Sequence, residues 1–196
     1  MIKNLILDFG DIFINLDKPA TAKEMEKFGY KETTAYLDGL FKDYEKGFVG
    51  TDMFLARAQG LFPKASQSQL ISAWNAILLD FPLYRLEFLE TLAAKKKCRL
   101  LLLSNTNELH INHVKQKMGT TRWQRFENAF ESFYLSYEMG MRKPDREIFE
   151  FILKENYLKP AETLFVDDTK ENTDAAASLG ILTWNPKAGK EDIIDL

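Results

Sequence analysis

Four short segments of the chain are apolar almost without interruption: Leu5 to Leu7, Arg99 to Leu103, Thr163 to Val166 and Ile181 to Trp184. A strand with one face in water alternates apolar and polar residues. Near-continuous runs instead predict parallel strands covered on both faces. Ser132 to Leu135 is a fifth, weaker candidate. Between the runs the period lengthens to that of helices. Ile148, Phe149, Ile152 and Leu153 share one face of a helix that Pro144 should open at its first turn. Thr173 to Leu179 reads as a small-residue helix stopped by Gly180, which suits the left-handed cap position. Strands alternating with helices predict an α/β fold, a Rossmann-like doubly wound parallel sheet.

One stretch breaks the alternation. From Asn15 to Pro82 the pattern is helical only, over Thr33 to Tyr44, Met53 to Leu61, and after Ser66, where Ser66 and Gln69 have capping-box spacing. That is too long for one crossover. It predicts a helical subdomain inserted after the first strand, with hinges near Leu16 and Pro82. Residues 1–15 and 83–196 would then form one core, and 16–82 the insertion. The aromatics Phe41, Tyr44, Phe48 and Phe54 are expected mostly in the insertion's own small core.

Length and composition narrow the class. A chain of 196 residues fits one domain with a sizeable insertion. Apolar residues at 45% and charged residues at 28% exclude a disordered or fibrous chain. A net charge of -3 argues against a nucleic-acid surface. Cys98 stands alone, so neither an internal disulfide nor a thiolate metal cluster can form; at the start of a strand it reads as packing. No apolar run approaches the ~18 residues of a membrane span, and Asp8 interrupts any signal-peptide core. The expectation is a cytoplasmic protein without nucleic-acid or membrane partners, a monomer or weak homodimer.

The candidate chemistry gathers at strand ends, where open parallel sheets bind ligands. Asp8 follows the first strand. Ser104 and Asn105 follow the second and offer a hydroxyl and amides to an anion. Lys143 precedes a helix start, on the wrong side of the helix dipole, and so needs another reason such as a phosphate. Asp167 and Asp168 follow a later strand as adjacent carboxylates, which repel unless a cation or proton intervenes. Each alone is an ordinary cap or acidic turn. Together they make a phosphoryl-transfer set: a carboxylate nucleophile, an anion site, a lysine and a carboxylate pair for a hard cation.

The chain resembles the haloacid dehalogenase-like (HAD) hydrolase superfamily along nearly its whole length. The likeness lies in Ile6-Leu7-Asp8-Phe9-Gly10, Leu103-Ser104-Asn105, Arg142-Lys143-Pro144-Asp145 and Phe165-Val166-Asp167-Asp168. The stretches Leu103 to His110 and Tyr134 to Pro144 are most similar to bacterial sugar phosphatases of the α-D-glucose-1-phosphate phosphatase type. The resemblance implies a phosphatase of small phosphorylated metabolites such as a sugar 1-phosphate, with the insertion as its cap. It also implies roles. Asp8 would attack phosphorus; Ser104, Asn105 and Lys143 would bind phosphate; Asp8, the Gly10 carbonyl, Asp168 and Asp167 would hold Mg²⁺.

One position departs from the family pattern. The usual acid/base aspartate two residues after the nucleophile is Gly10 here, and Asp11, one further on, should point elsewhere. Two other readings therefore stand beside the phosphatase: a catalytically silent binding protein on the same scaffold, and a 2-haloacid dehalogenase, which also lacks that aspartate but needs no carboxylate pair. His110 and His113, three apart on a predicted helix, read as core or solvated histidines.

Overall fold

The computed structural model describes all residues, 1–196. Five strands, β1 (Asn4–Leu7), β2 (Arg99–Ser104), β3 (Ser132–Leu135), β4 (Thr163–Val166) and β5 (Leu182–Trp184), form one parallel sheet in the order β3-β2-β1-β4-β5. β1 is central and in register with both neighbours, Leu7 opposite Leu102 on one side and Val166 on the other. Successive side chains point to opposite faces, and both faces are covered. Leu5, Leu7, Leu100 and Leu102 pack in a core of 20 buried residues with Phe9, Phe13, Phe81 and Phe126. Ile6, Leu101, Leu103 and Phe165 pack on the other side against Ile148, Phe149 and Ile152. This double burial is why the strands read as unbroken apolar runs. The fold is therefore the expected α/β, doubly wound parallel sheet.

Ten α-helices complete the chain. α1 (Ala20–Glu26), α2 (Ala35–Glu45), α3 (Thr51–Leu61) and α4 (Gln67–Asn75) lie between β1 and α5 (Leu83–Lys95). They share a hydrophobic cluster of their own, including Leu37, Tyr44, Phe54 and Leu70. The capping box expected at Ser66 and Gln69 opens α4. At the base of these helices the chain passes twice, side by side: the Asn15 amide donates to the Asp80 carbonyl and the Asp17 amide to that of Ile77, each at 2.9 Å. α6 (Glu108–Met118), α7 (Thr120–Glu127), α8 (Ser136–Met139), α9 (Arg146–Glu155) and α10 (Lys170–Ala177) connect the remaining strands. No helix is long and apolar enough to cross a membrane.

Four local expectations need correction. Pro144 does not open α9; it lies two residues upstream, joined to Lys143 by a cis peptide. The small-residue helix starts at Lys170 rather than Thr173, although Gly180 does take the expected left-handed conformation at φ +80°. β5 is an edge strand, and Leu182 is exposed rather than buried. Phe48 is exposed too, whereas Phe54 and Tyr44 stack inside the helical layer with ring centroids 4.1 Å apart.

Candidate active site

The central strand delivers Asp8 as the first residue past its end, where the Asp8 amide donates to the Val166 carbonyl of β4 at 2.9 Å. Beside it lies the Lys143 ammonium, only 1% exposed. An ammonium has three donors, and all are used: on Asp8 Oδ1 at 2.6 Å, Asp167 Oδ2 at 2.6 Å and the Leu103 carbonyl at 2.8 Å. The reason for a lysine at a helix entrance is thus already inside the protein, as two buried carboxylates. Asn105 places it. The Asn105 amide donates to the Lys143 carbonyl and accepts from the Lys143 amide, both at 2.8 Å. Its side chain therefore grips the lysine's backbone instead of standing free for an anion. Ser104 closes β2 and is buried.

The carboxylate pair divides its work. Asp167 is fully buried; besides Lys143 it accepts from the Thr169 amide at 2.8 Å and from the Asn172 side chain at 3.0 Å. Asp168 turns outward and accepts from the Lys18 ammonium at 2.5 Å. Lys18 also lies 3.1 Å from Asp11 Oδ2. Asp11 was expected to point elsewhere, yet through this lysine it is tied to the edge of the site. Carboxylate oxygens of Asp8, Asp167 and Asp168 all lie within 4.8 Å of one another. Against three carboxylates the buried cluster sets one ammonium, and Lys18 approaches from the solvent side. Burial, reinforced by Asp167 and opposed by Lys143, pushes the Asp8 carboxyl up to about 7. The neighbouring carboxylates hold the Lys143 ammonium above its ordinary value despite its burial. Hard oxygen donors with excess negative charge suit a small divalent cation.

A cleft of about 380 Å³ opens over these groups, lined by Asp8, Gly10, Asn105, Lys143 and Asp168, with Lys18, Glu45 and Arg142 around its mouth. Asp167 and Ser104 are buried and are not among the residues that line it. At Gly10 a Cβ would come within 2.8 Å of Leu16 Cδ1, the far end of a flexible side chain. Glu45 arrives from the last turn of α2 and pairs with Arg142 at 3.0 Å. Burial pushes its carboxyl above the usual range, against the pull of Arg142. The helical layer is fastened here, by Lys46 on Asp145 at 2.8 Å and by the Ser136 hydroxyl donating to the Glu45 carbonyl at 2.6 Å. Gly47, at φ +69°, passes so close that a Cβ would stand 2.0 Å from the Tyr137 carbonyl oxygen.

The two histidines do not act as a pair. His110 contacts the Trp74 carbonyl of α4 through Nε2 and the Asn107 side chain through Nδ1, and its ring stacks on Trp74. Burial holds it neutral, with its value pulled down to about 4. His113 faces a separate groove with Asp17, Ile71 and Asn75. Lys18 and Glu45 went unrecognised in the sequence because neither sits at a strand end. Only the docking of α1–α4 brings them to the cleft.

A family model of haloacid dehalogenase-like hydrolases matches residues 16–180. The chain belongs to that family. The matched region begins past Asp8, so the candidate nucleophile rests on the strand-end geometry itself. A D-ribitol-5-phosphate phosphatase of Bacteroides thetaiotaomicron is 29% identical over 97% of this chain and 95% of its own. A solved HAD family enzyme from the same species, in complex with magnesium and inorganic phosphate, is 39% identical over 97% of both chains, with a TM-score of 0.87. A solved dehalogenase matches at 17% identity and a TM-score of 0.60, a likeness of fold alone.

Proposed function

We propose that this hydrolase is a Mg²⁺-dependent phosphatase of small phosphorylated metabolites, in the sugar and sugar-alcohol phosphate class, with residues 16–82 as its cap. The observation that carries the reading is Asp8 at the central strand end, paired with the buried Lys143 and facing Asp168 across one cleft. An Asp8 oxygen attacks phosphorus, the P–O bond to the leaving group breaks, and the alcohol departs with a proton taken from solvent water, which regains it when the second step releases one. Water then attacks the aspartyl-phosphate at phosphorus and frees Asp8 and phosphate. Lys143, positioned by Asn105, and the Ser104 hydroxyl offset charge on the phosphoryl oxygens. Asp8, the Gly10 carbonyl and Asp168 would hold Mg²⁺, with Asp167 acting through water because Lys143, Thr169 and Asn172 already occupy its oxygens. The ion supplies the charge that lets an anionic nucleophile meet an anionic substrate.

With Gly10 in place of a carboxyl acid, a good leaving group matters more. An anomeric hydroxyl is more acidic than an ordinary one, which favours sugar 1-phosphates. The Bacteroides relative is named for a terminal alditol phosphate, a poorer leaving group. A panel of sugar 1-phosphates, sugar 6-phosphates and alditol phosphates, assayed by phosphate release with and without EDTA, tests the reading. EDTA-sensitive release from at least one class is expected. Binding without turnover across the panel would favour the silent scaffold protein, and halide release from 2-haloacids the dehalogenase.

A further inference from the structure

Behind the mouth of the cleft the helical layer encloses a second space of about 260 Å³. Its walls include Met25, Leu37, Phe41, Phe54, Leu70 and Trp74, drawn from α1 to α4. It adjoins the cleft, because Lys18 and Glu45 line both. A cavity of about 150 Å³ with Leu, Ile and Phe walls is enough to bind benzene, so this one has room for a ring with several further carbons.

The polar side chains on its wall are already engaged with the protein. The Thr21 hydroxyl donates to the Trp74 carbonyl at 3.1 Å. The Tyr30 and Thr33 hydroxyls pair at 2.6 Å. Both ring nitrogens of His110 have partners. Lys18 and Glu45 face Asp168 and Arg142 at the gate. A polyol entering here would leave water for walls with few free partners, which is costly. An apolar group would gain on entry. Hydroxylated leaving groups therefore suit the charged mouth, and apolar ones suit the space behind it.

We propose that the enzyme has a second substrate class, monophosphates of apolar alcohols of roughly six to ten carbons, whose hydrocarbon part occupies the cavity among α1–α4. The proposal rests on the reading of Asp8 as a phosphatase nucleophile. The reaction is the same: the phosphomonoester and water give the free alcohol and phosphate.

The test compares cyclohexylmethyl phosphate with ethyl phosphate, both primary alkyl esters, in the full chain with Mg²⁺. Each buried methylene is worth about a fourfold change, so five extra carbons set a ceiling of roughly a thousandfold. The expected gain in kcat/KM is at least about thirtyfold after imperfect burial. Ala58, on the cavity wall, gives the filling variant Ala58→Phe, which should bring the ratio below about threefold, since less than one methylene's worth of burial would remain. In parallel, cyclohexylmethanol is titrated into the metal-free protein while the Trp74 indole N–H resonance is followed. A saturable shift is expected and stands even if the variant fails to fold. Equal rates on both esters, or no Trp74 shift, overturns the inference and leaves the phosphatase intact. If no phosphomonoester at all is cleaved, the phosphatase reading fails instead, and a Trp74 shift would then leave only an apolar binding cavity, without the proposed activity.

Discussion

Replacing Lys143 with methionine keeps most of the stem volume and removes the charge that the buried carboxylates share. Lys143 is 1% exposed, Asp8 7% and Asp167 0%, so water cannot take the lysine's place without rearrangement. Removing one partner of a buried ion pair costs about 3–5 kcal/mol, a large share of the roughly 5–15 kcal/mol that holds a typical domain together. Lys143→Met should therefore lower the unfolding free energy by about 3–5 kcal/mol, read from urea melts at pH 7.5 in EDTA. The loss should shrink as the pH falls, because protonation removes the unpaired charge. Asp167→Asn in the same chain should recover more than half of it, since the neutral isostere has no charge to strand. A Lys143→Met protein within about 1 kcal/mol of wild type, the scale of an ordinary exposed pair, would refute the argument. It would mean that the ammonium does not hold the two carboxylates together.

The other expectations are more local. Asp8→Asn should fold and lose at least about three orders of magnitude in turnover, measured by phosphate release; more than a few per cent residual activity would contradict it. Asp168→Ala should abolish Mg²⁺ binding by calorimetry, whereas Asp167→Ala should weaken it less but cost more stability, because Asp167 also anchors Lys143, Thr169 and Asn172. His110 takes up a proton at about 4 in the folded protein against 6.5 unfolded. Its contribution is complete above pH 6.5 and fades as the pH drops, by roughly 3 kcal/mol near pH 4; comparing the melts of His110→Gln with wild type across that window checks it. Gly10→Asp should flatten the dependence of rate on leaving-group acidity across aryl phosphates, provided Leu16 moves away from the new Cβ, which would otherwise stand 2.8 Å from it.

Much of the fold was legible because burial on both faces leaves a plain mark. Leu100 to Leu103 is apolar at every position, since alternate residues serve opposite layers. The helical stretch after β1 showed itself by the lack of such runs. Asp8, Lys143, Asp167 and Asp168 were legible for a related reason: each stands where a strand ends or a helix begins, so sequence position already gives spatial position. What the sequence concealed depends on how separate pieces dock. Lys18 reaches Asp168 across 150 positions of sequence. Glu45 meets Arg142 only because α2 ends against the core. Asn105 looked like an anion ligand, yet its side chain spends both functions on the backbone of Lys143, a partner 38 residues away. The apolar cavity has no local signature either, since its walls come from four helices whose apolar faces read simply as core.

The central claim is that Asp8 forms a covalent phosphoryl intermediate. An acyl phosphate is reduced by borohydride to an alcohol, turning the aspartate residue into homoserine. The decisive measurement is peptide mass spectrometry after quenching steady-state turnover of an aryl phosphate, with Mg²⁺ present, into borohydride. Homoserine at position 8, absent without substrate and absent in Asp8→Asn, is the predicted result. Turnover at full rate with Asp8 recovered unreduced, or with the mark at Asp11 or Asp168 instead, would contradict the account.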